Sequence, residues 1–317
     1  MHREVLRRSE EDLFWIQPAQ FLDRVLLNWP VGTDPPLLPG SLVVDGMTRP
    51  LTDLTGVFAR LSFPLLLEIE DLSAQDRDYV VKEATAAWLA FLSALPCAVV
   101  NRPIPGGRPT LLAGSPLLSH LADEHVFLLP PSYCASNQTD AMLQFSAWSE
   151  RVYLKPLGSH EPGMFLHAHD GVEQICHVME QQAVSMQAIP HGQRVAVYVV
   201  GEEVVATVLL QPSEDVTQRI EMPSVLSKRC LGLVGDLGLT FAECQFIVTP
   251  EGQTYCLDVS SAPSIWHCPQ EVQQRIVCRL VEYLSEKRSL SRHDSLDGPD
   301  GRSSACERLC ETRSPQR

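Results

Sequence analysis

The chain is 317 residues long, enough for two or three packed subdomains, and its formal net charge of −14 comes without a clustered basic surface. No segment approaches the roughly 20 apolar residues that span a bilayer, and the N-terminus lacks the apolar segment of a signal peptide. The sequence therefore predicts a cytoplasmic protein that binds neither nucleic acid nor membranes.

The N-terminal part is predicted to be an α/β domain over residues 1–129. Residues 1–60 contain short apolar pieces separated by prolines, which indicates short strands and loops. A buried strand is predicted from residue 56, a long helix over 75–95 from its apolar spacing, and a second strand over 97–101. Strand, helix and strand in this order are typical of a parallel α/β unit.

The remainder is predicted to form two strand-rich α+β subdomains, 130–190 and 191–286, followed by a disordered tail over 287–317. The tail is rich in serine, glycine, proline and mixed charge and is too poor in apolar residues to fold. The N-terminal domain is predicted to end with a helix at 117–122 and a strand at 126–129. The two subdomains are predicted to contain strands at 152–155, 163–167, 184–189, 194–200 and 204–210, and helices at 140–148, 223–237 and 269–286.

Two strands near the end of the predicted folded region face each other around a tight turn. They cover residues 241–248 and 253–263, with Thr249-Pro-Glu-Gly252 between them. Side chains that share the inner face of such a hairpin can hold a metal ion between the two strands. The hairpin is therefore the first place to look for a functional site.

This hairpin resembles the magnesium hairpin of the ATP-grasp superfamily. Three N-terminal motifs, Phe58-Ala-Arg-Leu61, Glu83-Ala-Thr-Ala-Ala-Trp88 and Cys97-Ala-Val-Val-Asn-Arg-Pro103, resemble in their order the pre-grasp domain of one branch of that superfamily, which includes ribosomal-protein glutamate ligases and cyanobacterial peptide-cyclising ligases. The resemblance covers roughly residues 55–285. It implies an ATP-grasp-like fold, with an N-terminal α/β pre-grasp domain and two α+β subdomains that enclose a nucleotide cleft.

The resemblance also implies a magnesium site, although its ligands are altered. The family has an acid on the first hairpin strand, and an acid, a spacer and an asparagine on the second; here Gln245, Asp258 and Ser260 occupy these places. Neutral Gln245 and Ser260 are poorer ligands for magnesium than the residues they replace. Glu243 shares a strand face with Gln245, and a register shift or bulge would let it supply the missing carboxylate.

Nucleotide-binding residues follow from the same resemblance. Lys155 ends a strand in a lysine-proline pair, as does the family lysine that reaches the nucleotide. An ammonium group is suitable chemistry for a polyphosphate. Gln187 matches the residue that precedes the adenine-binding backbone, which implies that the backbone of Ala188 and Ile189 contacts the base. A plain core strand at this position is an equally good interpretation.

Several cationic residues of the family are missing. Ala196 stands where the family has an arginine, and Arg194, two residues earlier on the same strand face, is the candidate substitute. A second arginine is also absent, with Arg219 and Lys228 as replacements of unknown position. The lysine expected near the end of the N-terminal domain is missing from residues 112–116.

The favoured hypothesis is an ATP-dependent carboxylate-amine ligase that forms an amide or peptide bond through an acyl phosphate, in specialised metabolism. ATP and Mg²⁺ are the implied cofactors, a carboxylate and an amine on small molecules or peptides are the implied substrates, and the resemblance favours a homodimer. The alternative is a non-catalytic ATP-grasp-fold protein that binds a peptide, a small ligand or a partner protein. The histidines at 160, 167 and 169 leave zinc or acid-base chemistry as a less favoured interpretation.

Overall fold

A computed structural model describes most of the chain. The described residues are 14–17, 20–21, 24–28, 40–60, 69, 72–103, 116–135, 149–156, 163–167, 176–178, 183–210 and 218–285. The predicted helix at 140–148, the predicted tail at 287–317, and residues 160 and 169 of the histidine group lie outside these ranges.

The N-terminal part contains a small antiparallel sheet and a parallel α/β unit. Strands β1 (Val25–Asn28), β2 (Ser41–Val44) and β3 (Met47–Pro50) form the sheet in sequential order, and a short 3-10 helix (Leu51–Asp53) follows. Strand β4 (Gly56–Phe58), helix α1 (Ala74–Ala94) and strand β5 (Ala98–Val100) come next, and β4 pairs with β5 in parallel. The predicted strand, helix, strand unit is therefore confirmed.

Helix α1 is held at its start by a cap and along its length by packing. The Ser73 side chain accepts a hydrogen bond from the backbone N–H of Asp76 at 3.2 Å, which satisfies one of the free donors at the helix start. Trp88 is buried and stacks on Phe21, with ring centroids 4.2 Å apart. The second half of the helix is thereby fixed against the N-terminal core.

A second sheet is built from β6 (Ser132–Ala135), β7 (Arg151–Pro156), β8 (Met164–His167) and β9 (Val184–Ala188). All its pairings are antiparallel, and the spatial order is β6-β9-β7-β8. Side chains alternate between its two faces, as in any strand. Val152, Leu154, Val184 and Met186 form a small core on one face. The opposite face of β7 and β9 therefore carries Tyr153, Lys155, Ser185 and Gln187.

A third sheet forms the C-terminal part. Its strands are β10 (Gln193–Val200), β11 (Glu203–Leu210), β12 (Gln218–Arg219), β13 (Phe241–Val248) and β14 (Thr254–Ser260), in the order β12-β11-β10-β13-β14. Helices α2 (Pro116–Glu124) and α3 (Ser224–Asp236) pack on one face. Helix α4 (Gln270–Ser285) packs on the other face, where it covers Tyr198 and Ala196.

One sequence prediction about these elements was wrong and another is confirmed. Residues 126–129 do not form a strand of their own: Val126 has a positive φ of 61° after the end of α2, and only Leu128 bridges to Tyr255. The helix predicted at 223–237 is confirmed as α3, which continues through the glycines at 232 and 235 because its buried Cys230, Leu233 and Val234 pack on the sheet. Within the described ranges, no helix is both long and apolar enough to cross a membrane.

Asn101, directly after β5, joins the N-terminal unit to the C-terminal sheet. Its Nδ2 donates to the carbonyl oxygens of Phe241 (2.8 Å) and Ser261 (2.7 Å). Its Oδ1 accepts from the backbone N–H groups of Thr240 and Phe241, at 2.8 Å each. One side chain thus satisfies four backbone groups at the ends of the hairpin formed by β13 and β14.

We expect Asn101→Ala to lower the free energy of unfolding by about 2–4 kcal/mol, because it leaves several partly buried backbone groups without partners. Asn28→Ala, at an exposed position at the end of β1, is the matched control and should cost less than about 0.5 kcal/mol. Urea unfolding of both variants measures the difference. Equal stability of the two variants would contradict the structural role of Asn101.

Candidate functional site

The second and third sheets face each other through a layer that is partly aromatic and partly polar. Tyr153 and Phe165 lie side by side with ring centroids 4.7 Å apart, and the guanidinium of Arg194 lies 3.6 Å from the Phe165 ring centre. Tyr153 also packs with Ile247 and Leu257 of the third sheet. These contacts bring strands β7, β8 and β9 against β10, β13 and β14.

A buried ion pair crosses this layer. Lys155 Nζ donates to Asp258 Oδ2 at 2.6 Å, and the two side chains are only 8% and 6% exposed. The predicted nucleotide lysine and the predicted metal ligand are therefore in direct contact, although they are 103 residues apart. Each charge compensates the other in a place where either one alone would be costly.

The hairpin presents the four predicted metal ligands on one face. Gln245 pairs directly with Asp258, and Glu243 pairs with Ser260. Directly opposite residues of an antiparallel pair share a face, and so do residues two apart on one strand. The register shifts just after Gln245, which leaves Leu257 as an extra residue on β14. The bulge brings Asp258 opposite Gln245, so that the two predicted ligands are cross-strand neighbours.

Glu243 is almost completely buried, and burial raises its pKa to about 7. The negative charge of Asp258 adds to this rise. Hydrogen bonds from Gln245 and from the backbone of Ser264 act in the opposite direction, as does the charge of Arg194. The Gln245 Nε2 group donates to Glu243 Oε1 at 2.9 Å. Glu243 is therefore in contact with the hairpin site and changes charge near neutral pH.

Four buried oxygen atoms on the facing sides of the two sheets have no hydrogen-bond partner within the described part of the chain. Two are on β9, Ser185 Oγ and Gln187 Oε1, and two are on the hairpin, Gln245 Oε1 and Asp258 Oδ1. A buried polar atom without a partner costs about 1–3 kcal/mol. A polar ligand or a cation between the sheets would remove this cost.

The predicted adenine-binding residues lie at the end of β9. Gln187 is 3% exposed and stands opposite Tyr153 of β7. The backbone N–H of Ala188 donates to the Pro131 carbonyl, and that of Ile189 donates to the Arg151 carbonyl, both at 2.9 Å. These two donors are thus engaged within the protein. The backbone carbonyl groups of Ala188 and Ile189 and the Gln187 side chain are the remaining candidates for contact with a base.

The residues suggested as replacements for the missing family arginines only partly occupy the site. Ala196 is fully buried opposite Gln245, so its place beside the hairpin holds no charge. Arg194 lies two residues along the same face and reaches the aromatic pair instead. Arg219 lies in the same cross-strand row as Gln245 but three strands away, roughly 14 Å at the usual strand spacing. Lys228 is on α3, the helix on the opposite face of the sheet.

Sequence reasoning did not single out Tyr153, Phe165 and Ser185. Tyr153 and Ser185 share strand faces with Lys155 and Gln187, so the period-2 rule applied to those two residues identifies them. Phe165 gives no such signal, because its contact with Arg194 depends on how the two sheets pack. His167 ends β8 at an exposed position, and the prediction for the histidine group stays a prediction.

Comparison with known proteins supports the architecture through structure alone. No family model matches the chain, and no curated protein matches its sequence significantly. Among solved structures, the macrocyclase MdnC from Microcystis aeruginosa MRC, bound with precursor peptide MdnA, superposes with a TM-score of 0.64 at 18% identity over 85% of this chain and 90% of that chain.

Two further structures agree with this result. A RiPP-associated ATP-grasp ligase from Chryseobacterium gregarium, in complex with ADP and a leader and core peptide, has a TM-score of 0.63 at 15% identity over 88% of this chain and 92% of that one. The ATP-grasp ligase PsnB, complexed with a phosphomimetic precursor variant, Mg and ADP, has a TM-score of 0.63 at 18% identity over 89% of this chain and 94% of that one.

These similarities establish the fold. The chain has the ATP-grasp fold of these structures, and the predicted fold class is confirmed. The domain boundaries and the roles of the site residues stay predictions.

We expect Lys155→Met and Asp258→Asn each to lower the free energy of unfolding by about 3–5 kcal/mol, because each leaves the partner's charge buried without compensation. The double variant should cost much less than the sum of the two. Lys82→Met, which breaks an exposed ion pair with Asp78, should cost less than about 1 kcal/mol. Denaturant unfolding of the full cycle measures the coupling, and additive single effects would show that the buried pair is absent in solution.

Glu243 should make stability depend on pH. Its pKa is raised from 4.5 to about 7 on folding, so the folded protein holds the proton more tightly than the unfolded chain. The stabilising contribution is complete below about pH 4.5 and is lost as the pH rises to about 7. Relative to Glu243→Gln, the wild-type protein should lose about 3 kcal/mol between pH 4.5 and pH 8. Unfolding at several pH values tests this, and parallel pH curves for the two proteins would refute it.

Proposed function

We propose that the protein is an ATP-dependent carboxylate-amine ligase that acts on a peptide. The observation that carries the proposal is the group of buried oxygens on the facing sides of the two sheets, beside the Lys155 ammonium, that have no partner among the described residues. The three similar solved structures are a macrocyclase with a precursor peptide and two ATP-grasp ligases with ADP and peptides. The fold and the polar layer together favour ATP and a peptide as ligands.

The proposed reaction is amide-bond formation in two steps. A carboxylate oxygen of the substrate attacks the γ-phosphorus of ATP, which gives an acyl phosphate and releases ADP. An amine nitrogen then attacks the acyl carbon, loses a proton and displaces inorganic phosphate. Both steps build up negative charge on phosphoryl oxygens, so cations close to those oxygens lower the barrier.

Each site residue has a proposed role. Lys155 binds a phosphate, and Arg194 supplies a second positive charge at the edge of the aromatic pair. The free Gln187 Oε1 accepts a hydrogen bond from the amino group of adenine, and the backbone of Ala188 and Ile189 contributes through carbonyl groups. Within the described part of the chain, Gln187 Oε1 has no other partner, whereas Lys155 would have to exchange Asp258 for the phosphate.

The hairpin fits a magnesium ion in its donor chemistry. Magnesium prefers hard oxygen ligands, and Asp258 Oδ1 and Gln245 Oε1, on directly opposed residues, have no partner in the part of the chain that the structure describes. Glu243, paired with Ser260, adds a carboxylate when it is ionised. The described residues contain no group of three or more His, Cys, Asp or Glu placed to hold a metal, so phosphate oxygens have to complete the shell. Bound magnesium would neutralise charge on the transferring phosphoryl group.

A second candidate function is supported by specific substitutions. Ala196 leaves the position beside the hairpin uncharged, and Gln245 and Ser260 are neutral. The Lys155–Asp258 contact also satisfies two groups that a nucleotide and a metal would otherwise use. A protein that keeps the fold and binds a peptide without ATP turnover agrees with these features. Nucleotide binding separates the two candidates.

We expect calorimetry to detect magnesium-dependent ATP binding by the wild-type protein. Lys155→Met and Asp258→Asn should weaken that binding at least tenfold, because each removes a charged ligand of the phosphate or the metal. Lys82→Met, an exposed lysine on α1, is the matched control and should bind ATP as the wild type does. Circular dichroism of each variant verifies that it is folded.

Absence of ATP binding at millimolar nucleotide, with and without magnesium, would refute the ligase proposal and favour the non-catalytic peptide binder. Binding should also lead to ADP release only when peptides that carry a free carboxylate and an amine are supplied. The predicted homodimer, cytoplasmic location and role in specialised metabolism are separate proposals, and none of them is needed for this test.

A further inference from the structure

Ser185 lies in the middle of the polar layer, and neither the family pattern nor the proposed mechanism assigns it a role. It is 1% exposed, at the second position of β9, a strand that has neighbours on both sides. Its Oγ has no hydrogen-bond partner among the residues that the structure describes. A buried hydroxyl group can both donate and accept, so an unpartnered one costs stability in two ways.

Among the described residues, no hydrogen bond of the Ser185 hydroxyl group explains why a serine stands at this position. The neighbouring buried side chains of β9, Val184 and Met186, are apolar and pack on the other face of the sheet. An alanine at 185 would preserve the strand and remove the unpartnered group. The serine is therefore better explained by a ligand that is bound between the sheets than by packing.

The strand register indicates which part of a ligand lies near Ser185. Ser185 stands directly opposite Lys155, the cation of the layer, whereas Gln187 stands opposite Tyr153 one pair further along. Directly opposite residues on one face of an antiparallel pair have Cβ atoms about 5 Å apart. The register therefore makes Lys155 and Ser185 neighbours on the face that carries the polar layer, and anionic phosphate oxygens are the acceptors that suit both donors.

We propose that Ser185 is a phosphate-binding residue, whose hydroxyl donates a hydrogen bond to a nucleotide phosphate oxygen that Lys155 also contacts. This inference rests on the proposed ATP binding and goes beyond it in naming a residue for which stability and ligand binding oppose each other. Removal of the hydroxyl group raises the stability of the ligand-free protein, because no buried polar group is then left without a partner, and it lowers the affinity for the nucleotide. A residue that only supports the fold cannot produce these two opposite effects.

The test compares the wild-type protein with Ser185→Ala and Ser185→Cys. Cysteine keeps a similar volume but is a weak donor, so it guards against a packing effect of the smaller alanine. Ser227→Ala, at a part-exposed serine of α3 away from the layer, is the matched control. Two quantities are measured for each protein: the unfolding midpoint without ligand, and calorimetric affinity for adenosine, ADP and ATP with magnesium.

Ser185→Ala should raise the midpoint of thermal unfolding without ligand by about 2 °C or more. Both Ser185 variants should bind ADP and ATP about five- to tenfold more weakly than the wild type and bind adenosine within about twofold of it. Wild-type ATP affinity in Ser185→Ala, or equal losses for adenosine and ATP, would overturn this inference while leaving the ligase proposal intact. A wild-type protein that binds none of the three ligands would overturn both.

Discussion

The buried contact between Lys155 and Asp258 is the interaction on which the arrangement of the two C-terminal sheets depends. An ion pair between two nearly unexposed side chains is tolerated only when both partners stay in place, because either charge alone in a dry interior is strongly unfavourable. The pair therefore constrains the separation of the two sheets at this point. It also fixes the place where the polar groups of both sheets meet.

The N-terminal unit is connected to the same place by a different kind of contact. Asn101 makes hydrogen bonds to backbone groups at the open end of the hairpin, at the start of β13 and just after the end of β14. Gln245 and Asp258 lie a few residues further along the same two strands. Movement of the N-terminal unit would thus act directly on the strands that carry the candidate metal ligands, and three parts of the chain converge on one hairpin.

The sequence identified the local features of this site but not the contacts across it. The turn residues and strand alternation predict the hairpin and place Gln245 and Glu243 on one face, since both signals depend on neighbouring residues. Gln245 and Asp258 are directly opposite each other because of a bulge at Leu257, and no residue type in the sequence predicts this bulge. The strand predicted at 126–129 failed for a related reason, because Val126 adopts a left-handed conformation that its side chain normally disfavours.

The same ion pair constrains how a nucleotide would enter. A phosphate that takes Lys155 alone would leave Asp258 buried with an uncompensated charge, and a cation that takes Asp258 alone would do the same to Lys155. If a nucleotide phosphate and a magnesium ion arrive together, both charges exchange partners and neither is left alone. On the ligase proposal, the contact that closes the ligand-free site is thus also the reason why the nucleotide and the metal have to bind as a unit, and a protein that had lost one of these ligands would gain little from keeping the other.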